Sequence, residues 1–175
     1  RYFQLADVLG VDKELGFTLS EDKYNIEKKA HFITEDVAGE IDYGEGMKNI
    51  YALNGTEGLD ITFSDRFKRS VNVGEVKLAA NGYGKGRGVY MAGLPYSAQN
   101  ARLLYRAMFW AAHKEEEMRR AFSTNPRTEC SYYPEIGSYA IVNNGETAAN
   151  TVFHDVNGRQ STLALRAGEL IWVKI

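Results

Sequence analysis

Asn81-Gly82-Tyr83-Gly84-Lys85-Gly86-Arg87-Gly88-Val89-Tyr90-Met91-Ala92-Gly93-Leu94-Pro95-Tyr96-Ser97 is followed, through His113, by a run with neither glycine nor proline. Four glycines in eight residues accept positive backbone dihedrals, which predicts a turn or hairpin loop over residues 81–88. The flanking runs Val76-Lys77-Leu78-Ala79-Ala80 and Gly88-Val89-Tyr90-Met91-Ala92 have the length and the β-branched and aromatic content of strands. Ser97 then supplies a helix cap, and the helix it starts is the clearest in the chain. Leu103, Leu104, Ala107, Met108, Trp110 and Ala111 spread around much of its circumference, so it is expected to pack on a sheet through a wide face. Arg102 and Arg106, one turn apart, are expected on its wet side. Strand, turn, strand and broad-faced helix together predict an α/β layer, a partial sheet with a packing helix.

Working outward, residues 2–9 predict a short helix ended by Gly10, which can take the left-handed closing conformation. Ala30-His31-Phe32-Ile33, Asn49-Ile50-Tyr51-Ala52-Leu53 and Leu59-Asp60-Ile61-Thr62-Phe63 are three more strand-like runs. Lys114 to Arg120 is charged and helix-favouring, and Ser123-Thr124-Asn125-Pro126 stops it, because proline lacks the amide donor. The composition therefore divides into a middle α/β domain over 1–120 and a small carboxyl-terminal domain over 121–175, the boundary falling near 114–126. Beyond it, Tyr139-Ala140-Ile141-Val142, Thr151-Val152-Phe153-His154, Leu163-Ala164-Leu165 and Leu170-Ile171-Trp172-Val173 alternate with turn signals at Asn143-Asn144-Gly145, Asn157-Gly158 and Ala167-Gly168. Four or five short strands predict a small all-β antiparallel unit, sandwich-like or barrel-like.

At 175 residues the chain is long enough to bury a proper core, and its net charge of −2 and pI near 6.0 give no basic field for nucleic acid. No apolar run approaches the length of a membrane helix, and Arg1-Tyr2-Phe3-Gln4 lacks the zones of a signal peptide, so neither membrane nor export is expected. Cys130 is the only cysteine, which excludes an internal disulfide and fits a reducing, cytoplasmic setting. The chain opens at Arg1 already inside the apolar pattern Phe3, Leu5, Ala6, Leu9, as if cut from a larger body upstream.

Candidate chemistry is sparse. Lys85 among glycines lacks the following Ser or Thr and the helix of a phosphate loop, so a plain turn is favoured. His31, His113 and His154 are far apart, without metal-ligand spacing; His113 sits where an imidazole would favour the terminal carbonyls of a helix. Asp36, Glu40, Asp42, Glu45, Asp60 and Asp65 lie in or near glycine-containing stretches, where two carboxylates could flank a glycosidic bond, although solvated loop acids are commoner. Ser97 lacks the glycines of a nucleophile elbow, and Cys130 has no neighbouring cation to activate it. Tyr132 and Tyr133 could offer sugar-stacking faces, or be ordinary strand residues. No catalytic, cofactor-binding or metal-binding residue is assigned, and no cofactor is expected.

The stretch from Asn81 to Ser97, with Asn100-Ala101-Arg102-Leu103-Leu104-Tyr105-Arg106-Ala107 and Trp110-Ala111-Ala112, resembles the galacto-N-biose/lacto-N-biose phosphorylases. Leu5-Ala6-Asp7-Val8-Leu9-Gly10-Val11-Asp12-Lys13, Val142-Asn143-Asn144 and Glu169-Leu170-Ile171-Trp172 resemble the middle domain and carboxyl end of the same family, while residues 20–75 match only loosely. The resemblance implies a glutamine-amidotransferase-like or β-galactosidase-trimerisation-like α/β domain followed by a small β domain. It implies, too, that the sugar and phosphate sites and the general acid belong to a (β/α)-barrel not included here. The parent would cleave a β-galactosyl linkage to an N-acetylhexosamine, or to rhamnose, with inorganic phosphate as co-substrate. The missing barrel and a second copy are the partners it implies, nucleic acid and membrane being excluded. A free-standing carbohydrate-binding module and a small glycoside hydrolase are the alternatives. In each reading Trp110 is expected in the core, and its replacement by alanine to cost about 3–5 kcal/mol.

Overall fold

In the computed structural model, which describes residues 1–14, 27–63 and 74–174, the chain divides into a first unit of residues 1–113 and a second of 114–175. The first unit begins with a one-turn helix, α1 (Ala6–Leu9), closed by Gly10 at φ 70°, whose N–H donates to the Ala6 carbonyl. Glycine is required there for space as well as for dihedral, since a Cβ would run into Thr56 Oγ1 and lie 2.6 Å from Asn81 Cβ. Next, β1 (Val11–Lys13) pairs with β2 (Ile50–Ala52), and β3 (Glu57–Phe63), β4 (Gly74–Tyr83) and β5 (Gly86–Met91) form a meander. Helix α2 (Ala98–Ala111) follows, with the Ser97 Oγ accepting from the Asn100 N–H at 3.0 Å, the cap the sequence predicts.

From Leu78 onward, past a register shift in the β3–β4 pairing, alternation along β4 and β5 serves two cores. Leu78, Ala80, Val89 and Met91 join Leu59, Ile33 and the α2 residues Leu103 and Ala107, whereas Ala79 and Tyr90 join Val11, Ile50, Ala52, Ile61 and Val76. Sheet and packing helix are thus present, but every strand pairing among the described residues is antiparallel, apart from a single parallel bridge between Lys28 and Gly58. The expected α/β label is corrected to a helix on an antiparallel meander: the two-residue turn between β4 and β5 can join only antiparallel neighbours, and β3 pairs antiparallel with β4 as well.

Four local expectations change. Residues 81–88 are mostly strand: Tyr83 pairs with Gly86, only Gly84 and Lys85 turn, and of the four glycines only Gly84 has a positive φ, 57°. Gly88 is needed for close approach instead, since a Cβ there would run into the Val8 carbonyl oxygen. Ala30–Ile33 is not a strand; Phe32–Thr34 is a 3-10 turn capped by His31, whose Nδ1 accepts from the Ile33 N–H at 3.1 Å. Arg106 is buried and Arg102 largely so, with Arg102 3.2 Å from Asp36 and Arg106 3.1 Å from Glu35 and 2.6 Å from Asp36. Trp110 is half-buried at the edge of the helix layer, edge-on to His31 and under the Arg87 guanidinium 4.8 Å from its ring centre. Its truncation is therefore expected to cost about 1–3 kcal/mol, less than a fully enclosed aromatic would.

Asp12 anchors the start of the first unit. Burial by itself would raise its pKa, but its Oδ1 accepts from the N–H groups of Tyr2, Phe3 and Lys13 at 2.9–3.0 Å, and the carboxyl ends below its ordinary value. A lowered folded-state pKa contributes stability that is full above the unfolded value near about 4 and is lost as pH falls through the folded one. Acid melts of the first unit should show this, and Asp12→Asn should flatten the dependence below about pH 4.

The second unit carries a short helix, α3 (Glu115–Met118), then β6 (Phe122–Ser123), β7 (Thr128–Tyr133), β8 (Ser138–Asn143), β9 (Ala149–His154), β10 (Gln160–Leu165) and β11 (Leu170–Lys174). These make two antiparallel sheets, ordered β10-β9-β6 and β11-β8-β7. Tyr139 and Ile141 of β8 meet Phe153 of β9 and Leu165 of β10, so the two sheets share one core. Tyr139 stacks on Tyr132 at 4.7 Å and meets Phe153 edge-on at 4.8 Å, and its hydroxyl oxygen accepts from the Val156 N–H at 3.0 Å. Asn143 is fully buried: its amide donates at 2.9 Å to the carbonyls of both Thr147 and Arg166, and its Oδ1 accepts from the Gly145 N–H.

Candidate functional site

The loop acids were the sequence's best candidates for glycosidic chemistry, and the fold disperses them. Asp36 is held by Arg102 and Arg106 beneath α2. Asp60 accepts from the Tyr43 hydroxyl at 2.9 Å and pairs with Lys28 at 3.0 Å. Burial, reinforced by the Asp60 charge and hydrogen bond, drives the Tyr43 phenol far above its ordinary pKa, so it stays a neutral donor. Asp65 lies outside the described residues.

Glu40, Asp42 and Glu45 remain, exposed, and with Lys48 and Lys77 they line an open depression of about 940 Å³. Asp42 spends one oxygen on a local turn, accepting from the Gly44 N–H at 2.8 Å. The depression is kept in place by backbone contacts: Gln99 donates to the Glu40 carbonyl, Asn100 to that of Asp42, and the Met47 N–H to Ala92. Glycines permit this closeness, a Cβ at Gly93 running into the Tyr43 carbonyl oxygen and one at Gly46 lying 2.8 Å from that of Ala92. What is assembled is a fixed loop with solvated charges. Glycosidic chemistry needs two carboxyl groups facing each other at a set separation across a sugar site, whereas these three carboxylates stand exposed around an open depression.

The other candidates have local roles. Lys85 is at the exposed tip of the β4–β5 turn. His31 caps the 3-10 turn, His113 stands just past α2 with φ 58°, and His154 meets Phe122 edge-on at 5.9 Å. No group of three or more His, Cys, Asp or Glu suited to a metal ion occurs among the described residues. Burial pushes the Cys130 thiol up to about 11, away from thiolate reactivity. Tyr132 packs against the core of the second unit, whereas Tyr133 is exposed and leans on Trp172, ring centres 5.3 Å apart. That exposed pair was missed from sequence for Trp172; the alternation of β11, with Leu170, Trp172 and Lys174 facing out, was the available signal. No helix among the described residues is long and apolar enough to cross a membrane.

Comparison with known proteins matches residues 1–116 to the lacto-N-biose phosphorylase central domain and residues 122–173 to the lacto-N-biose phosphorylase C-terminal domain. A 1,3-beta-galactosyl-N-acetylhexosamine phosphorylase of Lachnoclostridium phytofermentans is 47% identical over 172 residues, covering 98% of this chain and 22% of the relative. The enzyme of the same name from Bifidobacterium longum subsp. longum is 37% identical over 98% of this chain and 26% of its own length. A D-galactosyl-beta-1->4-L-rhamnose phosphorylase of L. phytofermentans is 30% identical, over 83% of this chain and 18% of its own. The chain thus spans about a quarter or less of these relatives, and it belongs to the lacto-N-biose phosphorylase family.

Proposed function

We propose that this chain is the non-catalytic central and carboxyl-terminal portion of a cytoplasmic galactoside phosphorylase, with a structural and assembly role. The observation that carries the reading is the pair of domain matches over residues 1–116 and 122–173 in a chain that covers only 22–26% of its N-acetylhexosamine-named relatives. The whole protein would phosphorolyse a β-galactosyl-N-acetylhexosamine with inorganic phosphate, a glycosyl transfer yielding galactose 1-phosphate on a barrel in the remaining polypeptide. An N-acetylhexosamine acceptor is favoured over rhamnose by the higher identities, 37–47% against 30%. A likeness of the first unit to β-galactosidase trimerisation domains, and a homo-oligomeric parent, belong to the same reading. Dispersed carboxylates support the non-catalytic part: Asp36 and Asp60 are bound up in ion pairs, and Glu40, Asp42 and Glu45 lie in an open loop.

Purified chain incubated with lacto-N-biose and phosphate is expected to release no galactose 1-phosphate above a blank; release would overturn the reading. A second reading, a sugar-binding surface, is favoured by the exposed Trp172–Tyr133 pair on the outer sheet face. Heat on titrating galactosides that disappears in Trp172→Ala would select it.

A further inference from the structure

Helix α2 has an apolar inner face, as any packing helix does, but its outer face is apolar too. Leu104, Tyr105 and Met108 are 43%, 59% and 58% exposed, on one stripe with Ala101 and Ala112. The only charged residues of the helix, Arg102 and Arg106, are turned away toward Glu35 and Asp36. Arg106 also donates to the Phe32 carbonyl at 2.8 Å, with its guanidinium over the Phe32 ring. A helix face that meets water normally carries charge, and a helix apolar all round belongs inside a larger body.

We propose that this stripe docks against the polypeptide that the relatives carry outside the segment matched here, ahead of their central domain. The inference rests on the functional reading above and names the surface through which that assembly works. Two observations choose the occupant. The matched segments are a central and a C-terminal domain in relatives of which this chain spans only 22–26%, so most of the polypeptide that could cover the stripe lies elsewhere in one chain. The stripe is also small: three side chains offer a few hundred Å², below the roughly 800 Å² a side of a stable free-standing interface. A covalently attached neighbour needs no such area, because its effective concentration is already in the millimolar range or above. A second copy, which must associate from solution, is disfavoured by the same arithmetic.

The test labels the stripe. Met108→Cys in a Cys130→Ala background is treated with N-ethylmaleimide in two contexts. One is this chain alone; the other is a chimaera in which this chain replaces the matched segment of the 47%-identical L. phytofermentans relative. The thiol introduced at position 108 is expected to react freely in the chain alone and at least about tenfold more slowly in the chimaera, as for a site that opens only a tenth of the time or less. Equal rates overturn the proposal. So does protection in the chain alone that grows with concentration alongside a dimer mass, which would make the occupant a second copy. Melting separates the two readings. A reactive thiol in a chimaera whose segment melts together with the rest sinks only the choice of face. A segment that melts at the isolated chain's own temperature sinks the assembly reading as well.

Discussion

Arg106→Ala is expected to destabilise the first unit by about 3–5 kcal/mol, the cost of breaking a buried ion pair from one side. Besides the bond to Glu35, three interactions go at once: the 2.6 Å ion pair with Asp36, the 2.8 Å bond to the Phe32 carbonyl and the contact over the Phe32 ring. Asp36, with a side chain 19% exposed, is then left to Arg102 alone at 3.2 Å. The bond to Glu35 contributes little, because that carboxylate is half in water. The 3-10 turn that carries Phe32 and the core residue Ile33 loses its tie to α2, so the damage reaches packing as well as charge. Asp36→Asn in the same background should restore part of the loss, and a double-mutant cycle over positions 36 and 106 should give a coupling of about 1–3 kcal/mol. Chemical denaturation followed by tryptophan fluorescence reads it, since Trp110 sits on the same helix. A parent-like midpoint for Arg106→Ala would mean that water already solvates the pair.

Tyr139→Ala is expected to unfold the second unit outright. Tyr139 is 1% exposed and among the largest fully buried side chains described, and deleting a core aromatic costs about 3–5 kcal/mol. A unit of this size, residues 114–175, has a total stability of only about 3–9 kcal/mol, so the loss takes most or all of it. Tyr139→Phe isolates the hydroxyl: the Val156 N–H loses its acceptor, for about 1 kcal/mol. Circular dichroism should show the alanine variant losing one sheet signal at 25 °C while the phenylalanine variant melts a few degrees early. A cooperative, parent-like melt of Tyr139→Ala would show that the ring is not what joins the two sheets.

What was legible in the sequence was whatever local chemistry decides. Ser97 caps α2, Gly10 closes α1, and the apolar runs at 50–52, 59–63, 76–80 and 88–91 are strands, because periodicity and backbone preference act within a few residues. What escaped was decided by partners distant in the chain. Arg102 and Arg106 read as a wet face until Asp36, more than sixty positions earlier, is seen beneath them. Gly88 read as a turn residue, and only the Val8 carbonyl explains why no side chain fits. β7 alternates exposed Glu129, Ser131 and Tyr133 with inward Thr128, Cys130 and Tyr132, and it has no apolar run to announce it. The loop acids could be listed but not placed: their separation and their cationic neighbours exist only after folding.

Asn143 ties two hairpin ends that the chain reaches nineteen residues apart, one amide group answering the carbonyls of Thr147 and Arg166 together. Neither end can peel away without stranding a polar group in a fully enclosed place, so local fraying there is suppressed in favour of collective opening. In deuterium-exchange measurements, the peptides spanning 143–147 and 165–168 should therefore release their protection on a single common clock.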